Sequence, residues 1–188
     1  MFALSKEKKD KKGVSVGVRG PVSIHTATSI SPIDVYSMQI TKSVNGLEPK
    51  KRERGDGESE NSDSPMSSDR MGMKHFVRFG LYEIKGSINV QLAEKTGFSQ
   101  EDAQVVKECL RTLFVNDASS ARPDGSMEVY KLYWWEHNCK DGQYSSAKVH
   151  RSVKAVLKSD VDVPSSAEDY DFTVEPLEGL EPEVLEGL

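Results

Sequence analysis

Cysteine is scarce in this sequence, and long apolar runs are absent. The two cysteines, Cys109 and Cys139, lie far apart and form no CxxC pair, so reduced thiols are expected rather than a disulfide framework or a structural zinc. No segment approaches the roughly 18 consecutive apolar residues of a membrane helix, and the start, MFALSKEKKDKK, has no apolar stretch of signal-peptide length. The expected compartment is the cytoplasm, with no membrane contact. Catalytic signatures are missing too. There is no HxxxH, no paired-carboxylate motif, no GxSxG and no Gly-rich phosphate loop. No cofactor or metal is expected, and the chain reads as a non-enzyme.

What is present suits one domain with a real core: 188 residues, 36% of them hydrophobic. The net charge of -5 conceals a segregation. From Asp160 to Leu188 there are ten acidic residues and no Lys or Arg, which leaves 25 basic against 20 acidic residues in positions 1–159, a net +5. A mildly basic body with an acidic tail fits a polyanion partner, the tail competing for the same surface when it is empty; the alternative is a tail that is merely solvated.

The central stretch is Gly17 to Lys42, GVRGPVSIHTATSISPIDVYSMQITK. Arg19 sits among Gly17, Gly20 and Pro21, residues that let a backbone bend sharply or approach another molecule, and a series of Ser and Thr follows. Apolar positions between Ile33 and Ile40 follow a strand pattern that changes phase at Tyr36 and Ser37, which a bulge there would explain. Residues 43–70 are dominated by Gly, Pro, Ser and charge, too polar to offset their own ordering entropy, and read as an extended hairpin tip that orders on a partner.

Phe76 to Val90 is the clearest strand, with Tyr82, Ile84, Ile88 and Val90 on one face and Glu83, Lys85, Ser87 and Asn89 on the other. Gly80 and Gly86 mark a bulge or close backbone approach. Ser99 to Asp102 resembles a capping box opening a helix to about Val115, with Ala103, Val106, Leu110, Leu113 and Phe114 at helical spacing. Met127–Trp135 is an aromatic strand; Tyr130, Tyr133, Trp134 and Trp135 suit a core better than a base-stacking platform. Lys148 to Lys158 is amphipathic and basic, equally compatible with helix or strand. One last short strand, carrying Tyr170, Phe172 and Val174, is expected within residues 165–174, followed by a weakly ordered tail.

Strand, long loop, strand, helix, strand is the later part of a ferredoxin-like βαββαβ domain. The fold class expected is α+β, a ferredoxin-like (RRM-like) antiparallel sheet with a long thumb loop, lacking its first strand and helix. The divisions are a basic extension at 1–12, a partial RRM-like domain at 13–159 with the thumb loop at 43–75, and an acidic segment at 160–188. Arg19, Lys42, Lys50, Lys51, Arg52, Lys74 and Arg78 could supply phosphate-binding cations from two strands and their connection.

Four segments in order, GVRGPVSIHTATSISPIDVYSMQITKS, MGMKHFVRFGLY, GSINVQLAEKTGFSQEDA and NDASSARPDGSMEVYKLYWW, resemble the backbone subunit of the CRISPR Cascade surveillance complex in its type I-B and I-C forms. The resemblance runs from about Gly13 to Val174 and covers the later part of that family's domain. It implies a non-catalytic antiviral protein that polymerises along CRISPR RNA, holding backbone phosphates in a palm while a hairpin thumb reaches its neighbour. The implied partners are CRISPR RNA, other copies of the subunit, other Cascade subunits and, through the complex, target DNA. Arg19 and Gly20 of the GVRGP motif, with Ser23, His25 and Thr26, would face the RNA, and Lys74 and His75 would lie near it on the thumb's return.

Two other functions stay open at this stage. A chain lacking the first part of the domain could be a truncated regulator or decoy that docks on Cascade without completing it. An RNA-processing nuclease would need a histidine base and a lysine at the phosphate, for which His25 or His75 with Lys74 are the candidates.

Overall fold

The computed structural model describes residues 17–42 and 70–188. Its fold is α+β, built from antiparallel strand pairs and three helices.

The first part is one long ribbon. An outgoing strand runs in three pieces, β1 (Val22–Ile24), β2 (Thr28–Ser29) and β3 (Val35–Lys42), and returns as β4 (Arg70–Val77), β5 (Tyr82–Glu83) and β6 (Gly86–Ile88). Val22 lies opposite Ile88, Thr28 opposite Glu83, and Val35 opposite Val77. Between the pieces, residues 25–27 face only 84–85, and 30–34 face only 78–81, so each interruption places one extra residue in the outgoing strand. Backbone bonds carry the ladder across both gaps, from His25 N to Lys85 O at 2.7 Å and from Ile30 N to Leu81 O at 2.9 Å. Gly86 is required at its position. A Cβ there would stand 2.9 Å from the Ser23 carbonyl oxygen.

The second part holds most of the buried residues. Asn89 caps α1 (Val90–Thr96) by accepting from the Leu92 N–H, and Gly97 ends it in the left-handed region at φ 75°. Ser99 and Asp102 form a reciprocal capping box at the start of α2 (Gln100–Arg111), which turns Ala103 inward and lies on β7 (Lys131–Trp134). Then α3 (Ser146–Ser152) runs directly into β8 (Val153–Leu157), which pairs with β9 (Tyr170–Val174). The last strand, β10 (Glu183–Glu186), pairs with β7. Ala93, Ala103, Val149, Ser152, Tyr170 and Leu180 are buried, and Pro21 is buried at the mouth of the ribbon.

Several expectations change. The phase shift at Tyr36 is not a bulge, because pairing is continuous from Val35 to Lys42; the extra residues lie earlier, where Ser, Thr and Pro interrupt the strand. The strand expected at Phe76 to Val90 is broken into pieces, and Val90 opens a helix. Its apolar face is outward, with Tyr82 at 44% and Ile84 at 49% exposure. Residues 70–75, read as part of the thumb loop, are strand. The stretch from Lys148 to Lys158 is helix and then strand. The acidic end is not a loose tail, for Leu180 is 3% exposed and β10 is paired throughout its length. No single multi-stranded sheet forms among the described residues, where the strands associate in pairs.

Candidate nucleic-acid interface

The GVRGP motif leads into the ribbon beside α1. Pro21 is buried, and its carbonyl oxygen accepts from the Asn89 N–H at 2.9 Å, whereas Arg19 and Gly20 are exposed. Neither Gly17 nor Gly20 adopts a positive φ, and a Cβ on either would meet nothing within 4 Å. The chain bends at Pro21 without needing a positive φ at either glycine. The space above Gly20 is open.

Beyond Pro21, strand alternation sorts the side chains. Ser23 lies opposite Ser87 and His25 opposite Lys85 on one polar face, while Val22, Ile24 and Ile88 take the other. Lys85 and Ser87 belong to this face although only Ser23 and His25 were expected there. Their alternation along Glu83, Lys85, Ser87 and Asn89 was the available signal, and it lacked only the register. Lys85 pairs with Glu83 at 2.8 Å. Thr26 falls in the first interruption and is exposed.

A further residue arrives from a distant element. The His150 ring of α3 meets the His25 ring edge to face at a centroid distance of 5.6 Å, and its Nε2 donates to the Gly86 carbonyl oxygen at 3.0 Å. Nothing in the local sequence around His150 announces this contact across the fold.

Along the hairpin, the expected residues divide. Lys74 lies opposite Met38, on the same face as Tyr36 and Phe76, while His75 lies on the reverse face and hydrogen-bonds Ser37 Oγ at 2.8 Å. Adjacent strand residues point to opposite sides, so Lys74 and His75 do not converge on one phosphate. That geometry also separates Lys74 from His75, one of the two histidines the nuclease alternative would combine with it. Arg78 stands 3.3 Å from the Asp34 carboxylate and 4.7 Å from the Tyr36 ring centre, which holds its guanidinium against the face carrying Lys74. Tyr36 and Phe76 are themselves paired at 5.1 Å. Lys42 is opposite Arg70 at the described end of the ladder, and Lys50, Lys51 and Arg52 lie outside the described residues.

The acidic end does not cover this surface through the contacts seen. Glu183 binds Lys107 of α2 at 2.8 Å, and Glu175 pairs with Lys154 of β8. The Lys154 ammonium holds the Glu175 carboxyl below its usual range. The aromatic strand serves packing, with Tyr130 against Phe172 at 5.2 Å and Lys107 over Trp134 at 5.8 Å. Among the described residues, no helix is long and apolar enough to cross a membrane.

Comparison with known proteins bears on the surface as a whole. The family model described as CRISPR-associated protein Cas7 matches residues 2–175, a span that includes the GVRGP motif, both strands of the ribbon, α2 and the aromatic strand. No curated protein matches the chain.

Proposed function

The chain belongs to the CRISPR-associated protein Cas7 family, and on that premise we propose that its exposed ribbon face grips CRISPR RNA by its phosphate backbone. Membership assigns it to antiviral defence in type I CRISPR systems, with a CRISPR-RNA-binding backbone role. The protein is a non-catalytic, repeating subunit of type I-B or I-C character. It binds other copies of itself and other Cascade subunits in the cytoplasm, and it meets target DNA through the complex. Its domain corresponds to an RRM-like, ferredoxin-like unit whose thumb is based on the paired strands β3 and β4.

One observation carries this reading: the family match spans a ribbon that sets hydroxyls and cations side by side along its two strands. Half-buried Ser23 and Ser87 and the exposed ring of His25 offer positioning hydrogen bonds, and exposed Arg19 and Lys74 offer charge beside Lys85 and Arg78, which already pair with Glu83 and Asp34. Sequence-independent binding needs both kinds of group, cations to displace condensed counterions and polar groups to fix position. The open space above Gly20 lets a polymer come close to the backbone beside Arg19. Arg19→Ala and Lys74→Ala should each weaken binding of single-stranded RNA equally across sequences, and each should make log affinity less steep against log salt by about 0.7. Fluorescence anisotropy over a salt series measures this. Slopes identical to the unaltered chain would remove both residues from the interface.

A further inference from the structure

We propose that α3 forms a second wall of the RNA surface, with Lys148 and Arg151 binding phosphates beyond the ribbon. The proposal rests on the ribbon reading above and extends it to an element that reading leaves out.

The physical link is His150. Its hydrogen bond to the Gly86 carbonyl oxygen fixes α3 against β6, and its ring meets His25, so α3 borders the ribbon face at His25. Burial then sets the helix rotation. Val149 and Ser152 face inward, and Ser152 Oγ is satisfied by the Val149 carbonyl at 2.7 Å. Lys148 and Arg151, three residues apart, consequently emerge together on the exposed side.

There they line an open cleft of about 530 Å³ with Tyr144, Glu175 and Glu178. The Tyr144 ring is pinned, since its hydroxyl donates to the Glu178 carbonyl at 2.9 Å, and the Lys148 ammonium rests 4.2 Å from the ring centre. Glu175 is already engaged by Lys154. The lining holds Lys148 and Arg151 against Glu175 and Glu178, and Lys154 on Glu175 brings the cluster to three cations against two carboxylates; a guanidinium with an ammonium on an aromatic face suits a sugar-phosphate chain.

The test uses the full chain and single-stranded RNA in anisotropy titrations from low to high salt. Lys148→Glu with Arg151→Glu should lower affinity more than tenfold at low salt and make the salt slope shallower by about 1.4, two phosphate contacts at about 0.7 each. Lys148→Gln with Arg151→Gln should lose the same slope while leaving the thermal midpoint unchanged, which separates lost charge from lost folding. Should Arg19→Ala weaken binding while both double variants keep the affinity and slope of the unaltered chain, the ribbon reading stands and α3 is not part of the surface. An unaltered chain that binds no RNA overturns both.

Discussion

Between Val35 and Val77 the ribbon leaves Val35, Tyr36, Met38, Ile40, Met71, Met73, Phe76 and Val77 exposed on its two faces, with Met71 at 69%. From Val90 onward some apolar side chains, such as Val105 and Val163, stay exposed, but Ala93, Val149, Tyr170 and Leu180 are buried within packed helices and strand pairs. The two regions draw their order from different sources. In the ribbon it comes from backbone pairing of eight residues on each side; in the body it comes from apolar burial. A buried apolar side chain in the body is therefore a stability residue. The same side chain on the ribbon is free to serve contact.

That contrast can be broken, and the largest effect should come from Gly187. A Cβ at this position would stand 1.7 Å from the Val129 carbonyl oxygen, so Gly187→Ala must displace the chain beside β10. The expected result is a loss of several kcal/mol, the size typical of severe overpacking, read as a fall in the urea midpoint. A midpoint within error of the original would mean that β10 is not held against the body.

Next in size is Leu180→Ala. Emptying this buried site should cost about 2–4 kcal/mol, with the same readout. Tyr170→Phe sharpens the comparison by cutting a tie between the regions, the 2.6 Å hydrogen bond between its hydroxyl and Ser31 Oγ. About 1 kcal/mol should be lost. At the small end stands Met38→Ser on the ribbon, expected to change stability by less than about 0.5 kcal/mol. A cost above 2 kcal/mol there would show that the ribbon face is covered in the isolated protein.

Acid provides a test confined to the body. The backbone N–H groups of Ser165 and Ser166 hold the Asp169 carboxyl below its ordinary value, with a smaller lowering contribution from Lys158. Because the folded value lies below the unfolded one, this contribution is complete above about pH 4 and is lost as pH falls through the lowered value. The thermal midpoints of the unaltered chain and of Asp169→Asn should therefore converge below pH 4. A constant gap between them down to pH 2 would remove Asp169 from the acid response.

What could be read from the sequence was whatever a few neighbouring residues decide. The Ser99–Asp102 capping box, the helix after it and the strand at Tyr170 are fixed by local groups. The glycine at position 86 was also legible, because a missing side chain in a strand signals close approach. Long-range pairing was not. LEGLEPEVLEGL looks like a tail by composition, and only β7, some fifty residues earlier, makes Glu183–Glu186 a strand. The candidate interface divides the same way. Ser23 and His25 were visible in their motif, whereas Lys85 and Ser87 needed the register and His150 needed the fold. Lys74 and His75 seemed to act together because they are adjacent, and a strand separates adjacent residues by design of its pleat.

The two interruptions of the ribbon have a consequence for its tolerance of length change. Each stores one residue of slack in the outgoing strand: three residues against two at 25–27, and five against four at 30–34. Deleting one residue from either place would draw in that slack and leave every pairing from Val35 to Lys42 intact. The returning strand has no such reserve. A one-residue deletion at 84–85 would set three residues against one and deepen the interruption already there.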